Sequence, residues 1–592
     1  MTNLTYAIDY ETYWDTDKED PCTVVKLGNW LYTQHPRFDA YMLSVVGTDG
    51  FEWVGNPRDF EWSRLQGARL VAHNAGFELA VTEFLRSVGV VPTDFRWGQI
   101  FDTADLAAYL RVPRSLEKAA WHLLGVTVDK GTRDKTKGKR WTDMLPEFQK
   151  QLADYCLDDS RLELRLWVEH SEKWPEDERA LSQETLEMCW AGVPIDREGT
   201  RQDIDSLTAQ REAEKAKIPW AKTEKPLSPK AVKRVCEENK IKPPRSMAKD
   251  SSEFEVWLDK YEKKFPWARA MSKYRSINAL CKKYETMESR TDADGIFRFG
   301  IKYFGGHLGR DSGEGGFNPQ NLARKPMYGA YLRNRMIKAP PGKVLGIVDE
   351  GQIEPRVLAC LSGDEEKVGL MRQGMDVYEI QARLDGEYTD PRPLKEVNKD
   401  LRQYNKVKVL ACGYGAGGPK IQFIAKKEVG LELTDEQSEE IKYKFRKRPY
   451  VPNFWAQMEW FMKRSKGEDY EMELLSGRSV LYRDVQNFGG LSATVVKGRD
   501  FVRLPWWGGS LTENAVQATA RDIFMYHVLR IRRELGLQII LRAHDEVVTL
   551  LDEATAEQDL KNQIAIMSEA PPWFSEYPAS ADGGLSPVYT KI

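Results

Sequence analysis

A mixed α/β and α+β architecture divided into several domains is expected from three features. Strand-like and helix-like runs alternate over the first ~175 residues, the pattern of helices layered on a sheet. A Lys- and Glu-rich stretch follows from about 197 to 300, helical in pattern but interrupted at turns. Beyond about 300, strands and helices mix again around two apolar runs that each carry acidic residues. At 592 residues the chain exceeds one hydrophobic core, and length alone points to roughly three to four domains.

In chain order, YAIDY, YMLSVV and ARLVAHN (6–10, 41–46 and 68–74) read as strands, and ELAVTEFLRSVG (78–89) and SRLELRLWVEH (160–170) as helices. The first domain is expected to end near Trp174-Pro175, giving 1–175 and 176–592 as the main division. Turns at Lys225 to Pro229 and at Lys242-Pro243-Pro244 break the following stretch into an elongated helical arm. Gly-rich turns at Gly305-Gly306 and Gly313 to Gly316 open the last region.

Hydrophobic content of 41% and charged content of 30% describe a soluble chain rather than a disordered or membrane one. No apolar stretch approaches the roughly 18 residues of a membrane span, and MTNLTYAIDYETYW carries acids where a signal peptide needs basic charge. A cytoplasmic protein is expected. The seven cysteines contain no CxxC pair, so neither a zinc site nor a disulfide framework is supported. A net charge of -3 leaves nucleic acid open, because local clustering decides. Two clusters stand out, KGTRDKTKGKR at 130–140 and KYKFRKRPY at 442–450; the second interleaves rings with cations as a strand-tracking groove would, and a merely solvated basic loop or helix face is the alternative for each.

The chemistry is concentrated in Asp349, within LGIVDEGQIEPRVLACLSGD, and in His544-Asp545-Glu546, within IILRAHDEVVTL. Val344 to Val348 and Ile539 to Leu541 are apolar without alternation, as in strands buried on both faces. Carboxylates beside such strands need a charge partner, and a pair of divalent cations held by Asp349 and Asp545 would supply one. The plainer alternative makes Asp349 a cap for a helix beginning near Gln352, with Asp545 and Glu546 solvated at a turn. Between these runs, Arg402, Lys406 and Leu410 recur every four residues and Tyr414 continues the series. One helix face with two cations, an apolar residue and a phenol suits a nucleoside triphosphate; an ordinary amphipathic helix with a basic edge is the alternative.

Together these segments resemble the family A DNA polymerases, the bacterial DNA polymerase I class, and most closely its bacteriophage members. The resemblance spans nearly the whole chain. YFGGHLGRDSGEGGFNPQNLAR (303–324) is similar to the family's TGR…S…PQNL block, which implies a minor-groove role for Arg310 and DNA contact for Asn321. The motif A resemblance implies Asp349 and the Glu350 carbonyl as metal ligands, Glu354 as steric gate against a ribose 2′-hydroxyl, and Gln352 in nucleotide binding. Motif B implies Arg402, Lys406, Leu410 and Tyr414 as nucleotide contacts, with Lys406 catalytic; motif C implies His544 on DNA, Asp545 as metal ligand and Glu546 as an auxiliary acid. LLSGRSVLYRDV and WWGGSLTENAVQATARDIF resemble phage-type blocks, with Arg478 and Gln517 placed toward DNA. Departures are Leu410 for an aromatic residue, Pro355 for leucine and Tyr378 for histidine.

At the N-terminus, Asp9 and Glu11 share one face of a strand. Asn74 precedes Glu78 by four residues, as Tyr155 precedes Asp159. In order these resemble the three motifs of the DEDDy proofreading exonucleases. The resemblance implies Asp9, Glu11, Glu78 and Asp159 as metal ligands and Tyr155 as the residue orienting the attacking water. Glu78 stands where the family has aspartate, and Asp102 in FDTADLA is its rival.

The implied fold is a ribonuclease H-like exonuclease domain followed by a right-hand polymerase: thumb at about 197–300, palm at about 301–364 and 466–592, fingers at about 365–465. The implied function is a template-directed DNA polymerase with 3′-5′ proofreading. Its expected partners are primer-template DNA and dNTPs, with no membrane, and its expected state is a monomer. Its expected cofactors are two Mg2+ at each site, with Mn2+ able to substitute. With the first acidic motif already at Asp9, no flap-nuclease domain is expected to precede it, which favours replication of a phage genome in the host cytoplasm over repair. A nuclease with a vestigial polymerase half, an inactive exonuclease scaffold and a non-catalytic DNA-binding protein are the competing classes.

Overall fold

The computed structural model describes residues 4–128, 131–247 and 251–592, so Lys130 of the first basic cluster lies outside the described residues. The chain divides into two compact units: Met1–Gly192 with Arg298–Gln320 and Gly342–Leu585, and Val193–Phe297 with Asn321–Pro341 and Ser586–Ile592.

The first unit opens with a five-stranded sheet in the order Glu52–Gly55, Ala40–Gly47, Thr5–Thr12, Arg69–Ala72, Gln99–Asp102. The first three strands are antiparallel and the last two run parallel to Thr5–Thr12. Thr5–Thr12 is buried at every position except the half-buried Asp9, as a central strand covered on both faces must be. Helix Pro146–His170 begins on a proline, which has no N–H to leave unsatisfied in the first turn. It lies against the sheet where Ser44 Oγ donates to the Cys156 carbonyl at 2.8 Å and meets Ser160 Oγ at 2.7 Å.

A second sheet, in the order Gln538–Ala543, Glu546–Asp552, Lys343–Glu350, Ala581–Ser586, carries both acidic runs of the C-terminal half. Beside it runs helix Gly508–Arg530, buried on nearly all sides and correspondingly without a polar face. A third, antiparallel sheet, Tyr470–Glu473, Ser479–Asn487, Leu491–Lys497 and Asp500–Pro505, braces the N-terminal region. There Arg111 Nη2 donates to the Ser479 carbonyl at 2.6 Å, Lys118 Nζ to that of Arg499 at 2.8 Å, and His122 meets Phe501 edge-on at 4.9 Å. Helices Lys399–Cys412, Asp435–Arg446 and Tyr450–Arg464 share a core that includes Val407, Ile441, Phe445 and Val451.

That packing decides the second basic cluster. Phe445 is core rather than a stacking ring, Lys444 pairs with Glu440 at 2.8 Å, and Arg448 pairs with Asp364 at 2.7 Å and Glu366 at 3.0 Å. Much of the 442–450 run is thus a salt-bridged helix end, while Tyr443 stays exposed beneath Lys447.

The second unit is built on helices Arg197–Ala216 and Pro266–Ser289, which pack together around Leu207, Ile277 and Tyr284. Tyr284 donates to Asp203 at 3.0 Å, and Arg335 binds Asp203 at 2.9 Å and Asp196 at 2.7 Å. Helices Pro229–Glu238 and Ser252–Tyr261 close a further core on Trp220, Trp257 and Trp267. Among the described residues no helix is long and apolar enough to cross a membrane.

Candidate active sites

The run IILRAHDEVVTL is not one strand but a hairpin. Strands Gln538–Ala543 and Glu546–Asp552 pair with Ala543 opposite Glu546, leaving His544 and Asp545 as a two-residue turn. His544 has φ 62°, the left-handed value that a two-residue hairpin needs at its first position and that glycine normally supplies. Such a conformation in a non-glycine residue costs about 1 kcal/mol or more and clusters at functional sites.

Strand Lys343–Glu350 pairs antiparallel with Glu546–Asp552 in a register that sets Asp349 opposite Glu546. The Glu350 N–H donates to the Asp545 carbonyl at 2.9 Å, fastening the turn to the strand end. Asp349 and Asp545, 196 positions apart in the chain, are thereby brought together. Asp349 is strand and Gln352, at φ 56°, is the residue that begins helix Ile353–Leu361, so the capping alternative for Asp349 fails. Glu546 is buried rather than solvated at the turn. Pro355 stands in the first helical turn, as expected.

On the Asp545 side of this pair a cleft is lined by Arg310, Glu354, Phe524, His544 and Asp545 among others. Glu354 is held from both sides: Arg310 Nη2 donates to Oε1 at 2.6 Å and the Tyr414 hydroxyl to Oε2 at 3.2 Å. Tyr414 lies two residues beyond helix Lys399–Cys412, in the turn that follows, and not on the helix itself. Within the helix, Arg402 donates to Asp376 Oδ2 at 2.8 Å with its guanidinium 5.0 Å over the Tyr378 ring. Lys406 and Leu410 are half-buried.

Two expected contacts need correcting. Gln352 is spent on helix Val377–Leu384, donating to Asp376 Oδ2 at 2.7 Å and accepting from Val377 N at 3.1 Å, so it positions that helix rather than meeting a nucleotide. Arg478 is buried, ion-paired with Asp522 at 2.8 Å and bonded to the Leu308 and Ala518 carbonyls at 3.0 and 3.2 Å, which withdraws it from DNA. Asn321 is exposed and belongs to the second unit. Gln517 is half-buried on helix Gly508–Arg530, and His544 is exposed at its turn.

Sequence reasoning missed His527. Its Nδ1 lies 2.7 Å from Glu350 Oε1, both side chains buried, and its Nε2 2.9 Å from the carbonyl of the exposed Glu569. Burial pushes the Glu350 carboxyl above its ordinary value and the His527 contact opposes that rise. Glu350 therefore turns its side chain inward, while its N–H fastens the Asp545 turn.

The N-terminal carboxylates also assemble. Asp9 and Glu11 share the face of Thr5–Thr12, Glu78 lies in the first turn of helix Ala75–Ser87, and Tyr155 and Asp159 are one turn apart on Pro146–His170. Asn74 precedes its helix at φ 72° instead of sharing a face with Glu78. A further acid, Glu163, sits one turn beyond Asp159 and is fully buried. Burial raises Glu11 to about 7 against the opposing pull of Arg133, and burial first, then the neighbouring acids, raises Asp9, Glu78 and Glu163 well above the carboxylate range. Arg133 is the opposing charge; desolvation works against its cation but Glu11 and Asp9 outweigh it. Burial, followed by Asp159, Glu11 and Asp9, pushes the Tyr155 hydroxyl upward too. Asp102 is not a rival ligand: it accepts from Asn74 N, Ala75 N and Ala104 N at 2.8 to 3.1 Å, capping two helices.

Among the described residues no three His, Cys, Asp or Glu side chains are gathered as a ready-made ion cage. The donor sets nevertheless fit hard cations. Both are oxygen-only, Glu78 Oε2 and Glu163 Oε2 are buried with no hydrogen-bond partner, and magnesium commonly takes one or two carboxylates and completes its shell with water and phosphate oxygens.

Comparison with known proteins adds the lineage. A Bacillus phage SP02 DNA polymerase is 24% identical over 99% of this chain and 100% of its own length. DNA polymerase I of Chloroflexus aurantiacus is 27% identical over 51% of this chain, which spans 30% of that protein. Among solved structures, the POL domain of Pol1 from M. smegmatis, in complex with DNA primer-template and dNTP, matches with a TM-score of 0.68 at 16% identity, over 99% of this chain and 96% of that one. The DNA polymerase family A model matches residues 198–584, the span that holds Asp349, Arg402 and Asp545, and this chain belongs to that family.

Proposed function

We propose that the chain extends a DNA primer on a template with dNTPs and that its N-terminal domain removes misplaced 3′ ends. The observation that carries the first part is the strand register that puts Asp349 opposite Glu546 and fastens beside it the turn whose Asp545 lines a cleft with Glu354 and Arg310. The substrate class is supported by the M. smegmatis relative, which holds primer-template and dNTP.

In this reading Asp349, Asp545 and the Glu350 carbonyl hold two magnesium ions, which supply activation of the primer 3′-hydroxyl and charge stabilisation at the leaving pyrophosphate. Arg402 and Lys406 bind and neutralise the triphosphate, while Leu410 and Tyr414 pack against base and sugar. Glu354, clamped by Arg310 and Tyr414, occupies the space a ribose 2′-hydroxyl would need. Arg310 and Gln517 read the minor groove irrespective of sequence, and the exposed His544 meets the primer end. Closure of helix Lys399–Cys412 over a paired nucleotide assembles the site only when geometry fits. Thumb, palm and fingers follow the divisions stated from the sequence.

At the second site Asp9, Glu11, Glu78 and Asp159 hold the ions for hydrolysis and Tyr155 orients water. A role in phage genome replication is supported by the full-length match to the SP02 enzyme. The test is primer degradation and extension on matched and mismatched ends. Wild type should trim a mismatch and then extend, while Asp9→Ala should extend matched ends and leave mismatches uncut. Equal trimming by both proteins would refute the proofreading assignment.

A further inference from the structure

We propose that the loop of residues 131–140 is a docking rim for the phosphodiester backbone of single-stranded DNA at the mouth of the N-terminal carboxylate group. The proposal rests on the exonuclease reading above and assigns that site its strand-binding surface.

The loop is anchored to both sides of the site. Thr132 and Thr136 are buried, and they are its fixed points. Thr132 Oγ1 accepts from Gln151 Nε2 at 3.2 Å, one helical turn before Tyr155. Thr136 Oγ1 accepts from Trp14 Nε1 at 3.0 Å and Gly138 N donates to the Trp14 carbonyl at 2.8 Å, three residues beyond Glu11. Between the two buried threonines, Arg133 faces Glu11 and Asp9 electrostatically.

Arg133 is itself exposed, and the other cations of the loop also lie at the surface. Lys135, Lys137, Lys139 and Arg140 are all exposed. Lys137 lies 5.9 Å from the Trp14 ring, Lys139 5.6 Å from Phe148 and Arg140 4.9 Å from Tyr13. Among the described residues no carboxylate lies within salt-bridge distance of Lys135, Lys137 or Lys139, whereas Arg140 reaches Asp39 at 4.0 Å. Ring faces thus hold two of these lysines without neutralising them. In 442–450, by comparison, Lys442, Lys444 and Arg448 are paired with acids.

Charge balance explains the need. A polyanionic strand entering a group of five acids, the half-buried Asp9 and the buried Glu11, Glu78, Asp159 and Glu163, is repelled unless fixed cations meet its phosphates. Three lysines contacting three phosphates would steepen the salt dependence by about 2 log units per log unit, at roughly 0.7 per phosphate on single strands.

The test compares wild type, the K135A/K137A/K139A triple variant and its charge-keeping K135R/K137R/K139R counterpart, degrading a single-stranded oligonucleotide in Mg2+ across a salt series. The alanine variant should raise KM about 10-fold with kcat near wild type, and its salt slope should be shallower by about 2. The arginine variant should behave as wild type, and extension of a matched primer-template should be unchanged in both. An unchanged KM and salt slope in the alanine variant would overturn the rim. Should wild type degrade nothing, the exonuclease reading fails separately. The rim is then read by crosslinking an oligonucleotide with a photoreactive 3′-terminal base while excess unlabelled primer-template fills the polymerase cleft. Crosslinks within 131–140 sustain it and their absence overturns it.

Discussion

Replacing Glu354 by alanine should admit ribonucleotides, and the size of the effect follows from its two partners. Oε1 takes a charge-assisted bond from Arg310 at 2.6 Å and Oε2 a bond from Tyr414 at 3.2 Å. A 2′-hydroxyl entering that space must push the carboxylate off both donors. Losing a charge-assisted bond costs about 1.5–3 kcal/mol and a longer neutral-donor bond about 1, so discrimination of roughly 3 kcal/mol or more is built in. At 1.36 kcal/mol per factor of ten, that is about 100-fold or more in kcat/KM for dNTP over rNTP. Single-nucleotide incorporation on one primer-template, with dNTP and rNTP titrated separately, measures the ratio. Glu354→Ala should lower it by about 100-fold, whereas Glu354→Gln, which keeps the volume but offers one uncharged acceptor to two donors, should lower it by an intermediate factor. A ratio for Glu354→Ala within threefold of wild type would refute the clamped-gate argument.

Asp102→Ala should destabilise the N-terminal domain by about 1–3 kcal/mol, since three backbone donors lose their acceptor; a shift in metal affinity with unchanged stability, measured by denaturation and Mn2+ titration, would contradict its capping role. Burial raises Glu11 from 4.5 to about 7, so between those values the folded chain binds more protons than the unfolded one and stability falls as pH rises. The loss is about 3 kcal/mol from this group; thermal melts in EDTA should therefore drop from pH 5 to 8, and Glu11→Gln should flatten them. A flat wild-type profile would count against the buried-acid account. Adding Mg2+ at pH 8 should restore stability, because the ion replaces the missing protons as the partner of the carboxylates.

The two acidic runs were legible because apolar strands without alternation announce buried pairing, and pairing is what joins Asp349 to the 544–546 triplet. The turn between Ala543 and Glu546 was not, since it uses histidine and aspartate where hairpins of this length advertise glycine or asparagine. Helical spacing extended correctly from Arg402 to Leu410 but overran the helix end at Tyr414, where a turn happens to continue the direction. His527, Glu163 and Arg133 were invisible as site residues because their partners lie far away in sequence, and only packing brings them together. The same distance hid the burial of Arg478 against Asp522 and the commitment of Gln352 to Asp376.

The central claim is that Asp349 and Asp545, joined by strand register, form the centre of nucleotide transfer. Single-turnover extension of a matched primer-template by Asp545→Asn, a near-isosteric change at a half-buried turn position, tests it most directly. The account predicts a loss of about 1,000-fold or more in rate with primer-template affinity little changed, the scale expected when a preorganised charge at the reacting centre is removed. Extension within tenfold of wild type by the correctly folded variant would contradict it.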